Sequence, residues 1–256
     1  MDEVKTNNVH LIKGDCLEVM KNIKDNSVDM ILCDLPYGLM SGCKWDIVIP
    51  FEPLWEQYNR IIKDNGAIVL FGSQPFTSML ITSNIKGYKH SWVWNKKIAG
   101  NFLNGKYQPL KTTEDIIVFS KKGKKVNYYP IFTKADKPLK ERKNYKQTTE
   151  LFSNFKGTTY KLGTNKKPDE KYPKHLIEFS NVNCKNKGGF HPTQKPVELL
   201  KYLIKTYTLD GETILDNCMG SGSTGVAVLE VGGDRKFIGI ELDDKYFDIA
   251  CNRIKG

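Results

Sequence analysis

A chain of 256 residues, 39% hydrophobic and 27% charged, is long enough for one sizeable α/β core with a smaller appendage and too apolar for wholesale disorder. Residues Met1 to Asn8 carry no apolar stretch of the secretory kind, and no apolar run approaches membrane-spanning length, which excludes a helical membrane protein. The formal charge of +10 is unevenly spread: Lys121 to Lys187 has 17 Lys and one Arg against six acids, a net of +12, while the rest of the chain is close to neutral.

Taken in chain order, Val28 to Cys33 reads as a buried strand that stops at Asp34. Leu54, Trp55, Tyr58, Ile61 and Ile62 have helical spacing, which predicts a helix over Phe51 to Ile62, ended by Asn65-Gly66. Ala67 to Phe71, Ser91 to Trp94 and Asp115 to Phe119 are strand candidates. Beyond the basic segment, Thr213 to Asp216 reads as a strand, Thr224 to Val231 as a helix, Lys236 to Ile240 as a strand ending in Glu241, and Asp244 to Ile254 as a closing helix.

That last βαβα piece is too small to cover its own strands and needs the N-terminal strands to complete a sheet. The expected organisation is therefore one α/β domain built from residues 1–120 and 189–256, with a basic lobe inserted at 121–188. The lobe also carries Tyr128, Tyr129, Phe132, Tyr145, Phe152, Phe155, Tyr160, Tyr172 and Phe179, enough apolar material to fold and present its charge to a polyanion. The six cysteines, Cys16, Cys33, Cys43, Cys184, Cys218 and Cys251, form no Cys-x-x-Cys pair or Cys/His cluster, so reduced thiols and no metal are expected.

Two constellations carry chemistry. Gly220, Gly222 and Gly225 have the spacing G-x-G-x-x-G between a predicted strand and helix, and the acid Glu241 ends the next strand, where a ribose diol is usually held. This pattern alone fits a nicotinamide or flavin enzyme as well as a methyltransferase. Asp34-Leu35-Pro36-Tyr37-Gly38 stands at the carboxyl end of a strand. A base amine is a poor nucleophile because its lone pair is delocalised into the ring. Two acceptors aimed at its N–H groups, here the Asp34 carboxylate and the Leu35 carbonyl, draw the nitrogen towards tetrahedral geometry. Pro36 stiffens the turn, and Tyr37 offers a flat face to an extruded base.

Asp34 to Tyr37 resembles the Asp-Pro-Pro-Tyr motif of amino-directed DNA methyltransferases, and Asp216 to Gly225 resembles their Asp-Pro-Phe-x-Gly-Ser-Gly cofactor loop. Phe190 to Leu200 is similar to the His-Pro-Thr-Gln-Lys-Pro element of the β group, in which the catalytic motif precedes the target-recognition region and the cofactor loop, as here. The likeness extends to Lys13-Gly-Asp-Cys16, Gly239 to Asp243 and Tyr246 to Arg253.

The resemblance implies a circularly permuted, Rossmann-like methyltransferase sheet with an inserted target-recognition lobe. It implies S-adenosylmethionine as cofactor, bordered by Asp15, Cys16, Asp34, His191, Thr193, Lys195, Asp216, Gly220, Gly222 and Glu241, with Glu241 on the ribose, Asp15 at the adenine end and the His191 to Lys195 element at the methionine end. It implies duplex DNA as partner, with a homodimer and a cognate restriction endonuclease open, and a cytoplasmic, nucleoid-associated place. Lys96, Lys97 and the Gly100 to Gly105 loop with Asn101 are candidates for the strand near the flipped base. Within the family, Asp at the first motif position favours adenine N6 over cytosine N4, which stays the alternative. The chain departs from the family pattern at Leu35, Asn217 and Cys218, so a DNA-binding protein with a decayed core is a further alternative. Cytosine C5 chemistry needs a cysteine nucleophile in a Pro-Cys-Gln element, which is missing.

Overall fold

The computed structural model describes residues 2–38, 46–135, 169–181 and 194–255. One nine-stranded sheet is built from β1 (Glu3–Lys5), β2 (Val9–Lys13), β3 (Val28–Cys33), β4 (Ile62–Gly72), β5 (Tyr88–Gly100), β6 (Lys111–Phe119), β9 (Leu176–Glu178), β10 (Thr213–Asp216) and β11 (Lys236–Glu241), in the order β1-β2-β11-β10-β3-β4-β6-β5-β9. Strands β2, β11, β10, β3 and β4 run parallel; β1 at one side is antiparallel to β2, β6 at the other is antiparallel to both β4 and β5, and β9 pairs parallel with β5.

Helices cover both faces, which is why β3 is buried at every position and reads as an unbroken apolar run. Met30 and Leu32 point into a core shared with Leu199 and Leu203 of α4 (Val197–Tyr207), Val228 of α5 (Ser223–Val231) and Ala250 of α6 (Asp244–Lys255). Ile31 and Cys33 point the other way, into a core with Val19 of α1 (Cys16–Met20), Leu54 and Tyr58 of α2 (Phe51–Ile61) and Leu80 of α3 (Phe76–Ser83). Full burial of one such Leu or Ile contributes roughly 1.5–3 kcal/mol, so the two cores carry most of the folding free energy.

The chain leaves β10 through α5 to reach β11, and leaves β3 through α2 to reach β4 on the opposite side. The strand order therefore reverses between β10 and β3. At such a switch point the two connections diverge and leave a crevice at the carboxyl ends of the strands.

One expectation is corrected. Helix α2 is not ended by Asn65-Gly66: Ile62 already has extended angles (φ −71°, ψ 140°) and opens β4. The register with β3 jumps from Val28↔Ile62 to Met30↔Ala67, so residues 63–66 loop out of the ladder, and Lys63 Nζ reaches both Asp29 oxygens at 2.8 Å. The chain divides into Met1–Tyr129 with His175–Gly256, and a second unit, Pro130–Lys174. Tyr129 N–H donates to the Thr206 carbonyl at 2.8 Å, and β9 adds to the main sheet beside β5 through Val93↔Leu176. In the second unit, β7 (Thr133–Lys134) pairs antiparallel with β8 (Glu170–Lys171), and Phe132 meets Tyr172 edge-on at 5.1 Å.

Candidate active site

The carboxyl ends of β3, β10 and β11 open into a cleft of about 1080 Å³. It lies at the upper end of the roughly 300–1,000 Å³ usual for small-molecule sites.

On the β3 side, Asp34 follows the last strand residue with both oxygens engaged: Tyr37 Oη donates to Oδ1 at 2.7 Å and Lys195 Nζ to Oδ2 at 2.5 Å. Lys195 is 9% exposed and also lies 3.5 Å from Glu114 Oε2, while Lys96 Nζ donates to Glu114 Oε1 at 3.0 Å. Two carboxylates and two ammonium groups thus alternate along one wall, and their charges cancel. Burial pushes Asp34 above the ordinary carboxylate range, against the opposing pull of the Lys195 ammonium. Burial works against Lys195 and Glu114 too, yet their opposite charges prevail: Lys195 is held above the usual lysine value by Asp34 and Glu114, and Glu114 below the usual glutamate value by Lys195 and Lys96.

The turn after Asp34 is fixed from beneath. Asp46 Oδ1 accepts from the backbone N–H groups of Tyr37 (2.8 Å) and Gly38 (3.0 Å), and the Tyr37 ring stacks on Phe76 with centroids 4.8 Å apart at 24°. Leu35, in place of proline, sinks its side chain into the core under α2 and leaves its backbone on the cleft wall.

On the β10 side, the loop after the strand is organised by Asp216, which accepts from Cys218 N–H at 3.1 Å and Thr224 Oγ1 at 2.6 Å. Burial pushes its carboxyl up to about 6. Gly220 N–H donates to Glu241 Oε2 at 2.8 Å and Asp243 N–H to Oε1 at 2.9 Å, so both Glu241 oxygens are held by backbone while the residue lines the cleft. Gly222 caps α5 in the left-handed region at φ 78°, against Ala250 and Ile254 of α6. Asn217 and Cys218, in place of Pro-Phe, are both partnered: Tyr58 Oη donates to Asn217 Oδ1 at 2.6 Å, and Asn217 Nδ2 donates to Cys218 Sγ at 3.5 Å. Asp15 caps α1, accepting from Leu17 N–H at 2.8 Å.

A rigid carboxylate with remaining lone pairs is the acceptor that the two hydroxyls of a ribose diol require. With Gly14 beside it, its N–H donating to the Glu241 carbonyl at 2.9 Å, and Asp15, Cys16 and Leu17 lining the same cleft, the residues present fit a nucleoside cofactor.

Asp15, Cys16, Asp34, Leu35, Pro36, Tyr37, Lys195, Asp216, Gly220 and Glu241 therefore meet on one cleft, as expected from the sequence. Gly222 does not line it; its glycine requirement comes from the approach of α6. Lys195, expected at the methionine end, sits on Asp34. Lys96 turns inward onto Glu114 and is 14% exposed, so its ammonium is not a surface cation. Lys97 (φ 63°) is half-exposed and 3.7 Å from Glu178 Oε2, and Asn101 (φ 65°) accepts from Asn104 Nδ2 at 2.8 Å. Lys121 pairs with Asp64 at 3.5 Å. His191, Thr193 and most of Lys121 to Lys187 lie outside the described residues. Sequence reasoning missed Glu114, Asp46 and Phe76. An acid opening the apolar run Ile116 to Phe119 was the available sign of Glu114.

The model of the N6/N4 DNA methylases, described as DNA methylase, matches residues 28–252. Among curated relatives, the type II methyltransferase M2.DpnII of Streptococcus pneumoniae is 28% identical over 274 residues, covering 97% of this chain and 90% of its own. The DNA adenine methyltransferase YhdJ of Escherichia coli (strain K12) is 29% identical over 265 residues, covering 99% and 83%. Among solved structures, the M1.HpyAVI complex with S-adenosylmethionine superimposes with a TM-score of 0.63 at 25% identity, covering 97% of this chain and all of that one. With the family match spanning nearly the whole sheet and both sides of the cleft, the chain belongs to the N6/N4 DNA methylase family.

Proposed function

We propose that this protein is a site-specific DNA methyltransferase that uses S-adenosylmethionine to methylate the N6 amine of an adenine flipped out of duplex DNA. The observation that carries the reading is the sharing of one cleft by the Asp34 turn and the Glu241 carboxylate, which puts an amine acceptor and a nucleoside holder within one enclosure. Support for adenine comes from aspartate at the first motif position and from the name of the YhdJ relative.

S-adenosylmethionine, when bound, supplies a methyl group on a positively charged sulfur. Glu241 would hold its ribose, and Asp15, Cys16 and Gly220 would line its nucleoside. Asp34 Oδ2 and the Leu35 carbonyl accept the two amine N–H groups, which localises the nitrogen lone pair. Tyr37, backed by Phe76, offers its remaining face to the base, a contact worth about 1–3 kcal/mol in stacked complexes. Burial raises the proton affinity of Asp34, which suits Oδ2 to take the proton that the amine must lose. The basic stretch from Lys121 to Lys187 neutralises phosphates, and relatives named type II methyltransferases support a place in a modification system.

The test is incubation with unmethylated duplex DNA and cofactor, followed by digestion and mass spectrometry of the nucleosides, beside Asp34→Ala. The expected result is N6-methyladenine from the unaltered protein, a rate reduced about 10²–10⁴-fold in the variant, and cofactor affinity retained by both. N4-methylcytosine would overturn the base assignment and keep the geometry. Cofactor binding without transfer to DNA of mixed sequence would favour the decayed-core alternative.

A further inference from the structure

We propose that Glu114 is a positioning residue that gives Lys195 a second seat: the ammonium rests on Asp34 Oδ2 and moves to Glu114 Oε2 when the target amine arrives. The inference rests on the assignment of Asp34 as acceptor for that amine.

Glu114 Oε2 is the only buried side-chain nitrogen or oxygen among the described residues that has no hydrogen-bond partner. A buried carboxylate oxygen left without a hydrogen bond is costly and calls for an explanation. Its nearest cation is Lys195, whose Nζ is 3.5 Å away, while the same Nζ is 2.5 Å from Asp34 Oδ2. A shift of about 0.7 Å brings the ammonium to ordinary hydrogen-bond distance from Glu114.

Three features fit two seats better than one. Lys96 holds Glu114 by Oε1 alone, at 3.0 Å, and so presents Oε2 to Lys195. The Lys195 ammonium lies 5.0 Å from the Phe71 ring centroid and 5.9 Å from that of Tyr37, and aromatic faces keep a cation stabilised as it moves. The four charges of Asp34, Lys195, Glu114 and Lys96 cancel in either position, so the move separates no net charge.

The consequence is chemical. With Tyr37 on Oδ1 and the ammonium on Oδ2, Asp34 is a weakened acceptor. Transfer of the ammonium to Glu114 restores Oδ2 at the moment an amine N–H needs it. Glu114 touches neither base nor cofactor in this scheme and acts through Lys195.

The test is a double-mutant cycle of Glu114→Gln and Lys195→Met, read by single-turnover transfer of labelled methyl to duplex DNA of mixed sequence. Glu114→Gln is expected to lower the transfer constant about 10–100-fold, with the KM for cofactor within about twofold. On the Lys195→Met background the same change is expected to leave the rate unaltered or raise it, because no ammonium remains to be seated. The acid limb of the pH–rate profile should move down in Glu114→Gln, where the ammonium stays on Asp34, and up in Lys195→Met. Glu114→Asp keeps the charge on Lys96 but draws the carboxylate back by about 1.5 Å, and should reproduce the Gln rate if Gln folds poorly. Equal losses on both backgrounds, or a lowered rate with an unmoved acid limb, would overturn the second seat and leave the methyltransferase reading intact. Failure of the unaltered protein to methylate any DNA would remove both.

Discussion

Replacing Gly222 by Ala separates two reasons for a glycine in the cofactor loop. The sequence pattern suggests that glycine lets a cofactor approach; the fold suggests that it lets α6 approach. A Cβ at this position would stand 2.9 Å from Ile254 Cδ1, 3.0 Å from Ala250 Cβ and 3.1 Å from Ala250 Cα, and φ is +78°. The Ile254 methyl can swing aside, but the Ala250 atoms belong to the helix backbone and its first carbon. Left-handed strain contributes about 1–2 kcal/mol and overpacking about 1–3 kcal/mol, a total of roughly 2–5 kcal/mol. For a domain of this size each kcal/mol shifts Tm by about 2–4 °C, so a fall of roughly 5–15 °C is expected by circular dichroism. Because Gly222 does not line the cleft, calorimetric titration of the folded variant should give a cofactor Kd within about threefold of the unaltered protein. An unchanged Tm with affinity reduced more than tenfold would refute the packing argument.

Two further outcomes follow from buried groups in the same loop. Asp216 carries a carboxyl raised to about 6 by burial, so the folded state binds its proton more tightly than the unfolded chain, and the stability this confers is present below about pH 4 and lost as pH rises through about 6. Relative to Asp216→Asn, the unaltered protein should lose about 3 kcal/mol between pH 4 and 7 in urea denaturation; parallel stability profiles would contradict this. Tyr58→Phe removes the 2.6 Å hydrogen bond to Asn217 Oδ1 and leaves a buried acceptor unpaired, so a loss of about 1–3 kcal/mol is expected in the same assay, and none if Asn217 finds another donor.

The parts of the fold legible in the sequence are those whose environment is uniform. Strands β3, β10 and β11 are short apolar runs ending in Asp34, Asp216 and Glu241, and a parallel sheet covered on both faces puts such acids at one edge. The end of α2 was not legible, because β3 captures the chain at Ile62 before the Asn65-Gly66 turn signal is reached. Lysine density records solvent and partner and not packing: Lys121 and Lys124, at the start of the basic stretch, are tied to Asp64. Lys96 could have been placed by strand parity. It shares a face with the buried Trp92 and Trp94, and Trp94 is directly opposite Glu114 in the ladder. Which lysine meets which acid across the cleft depends on tertiary approach, and no spacing in the chain encodes it.

The departures from the family motifs bear on whether the site has decayed. A site released from its task would be expected to accumulate loosened turns and unpaired polar groups around its former ligands. Here the three departures are each seated: Leu35 fills the core beneath the Asp34 turn, Asn217 takes the Tyr58 hydroxyl, and Cys218 Sγ accepts from Asn217 Nδ2. The acids at the strand ends keep their backbone and hydroxyl donors. Among the described residues the one buried side-chain oxygen without a hydrogen bond belongs to Glu114, 3.5 Å from the lysine that covers the catalytic carboxylate. Decay would scatter such defects through the loops. A single one among the described residues, beside the Lys195–Asp34 pair, is the pattern that the proposed second seat for Lys195 requires.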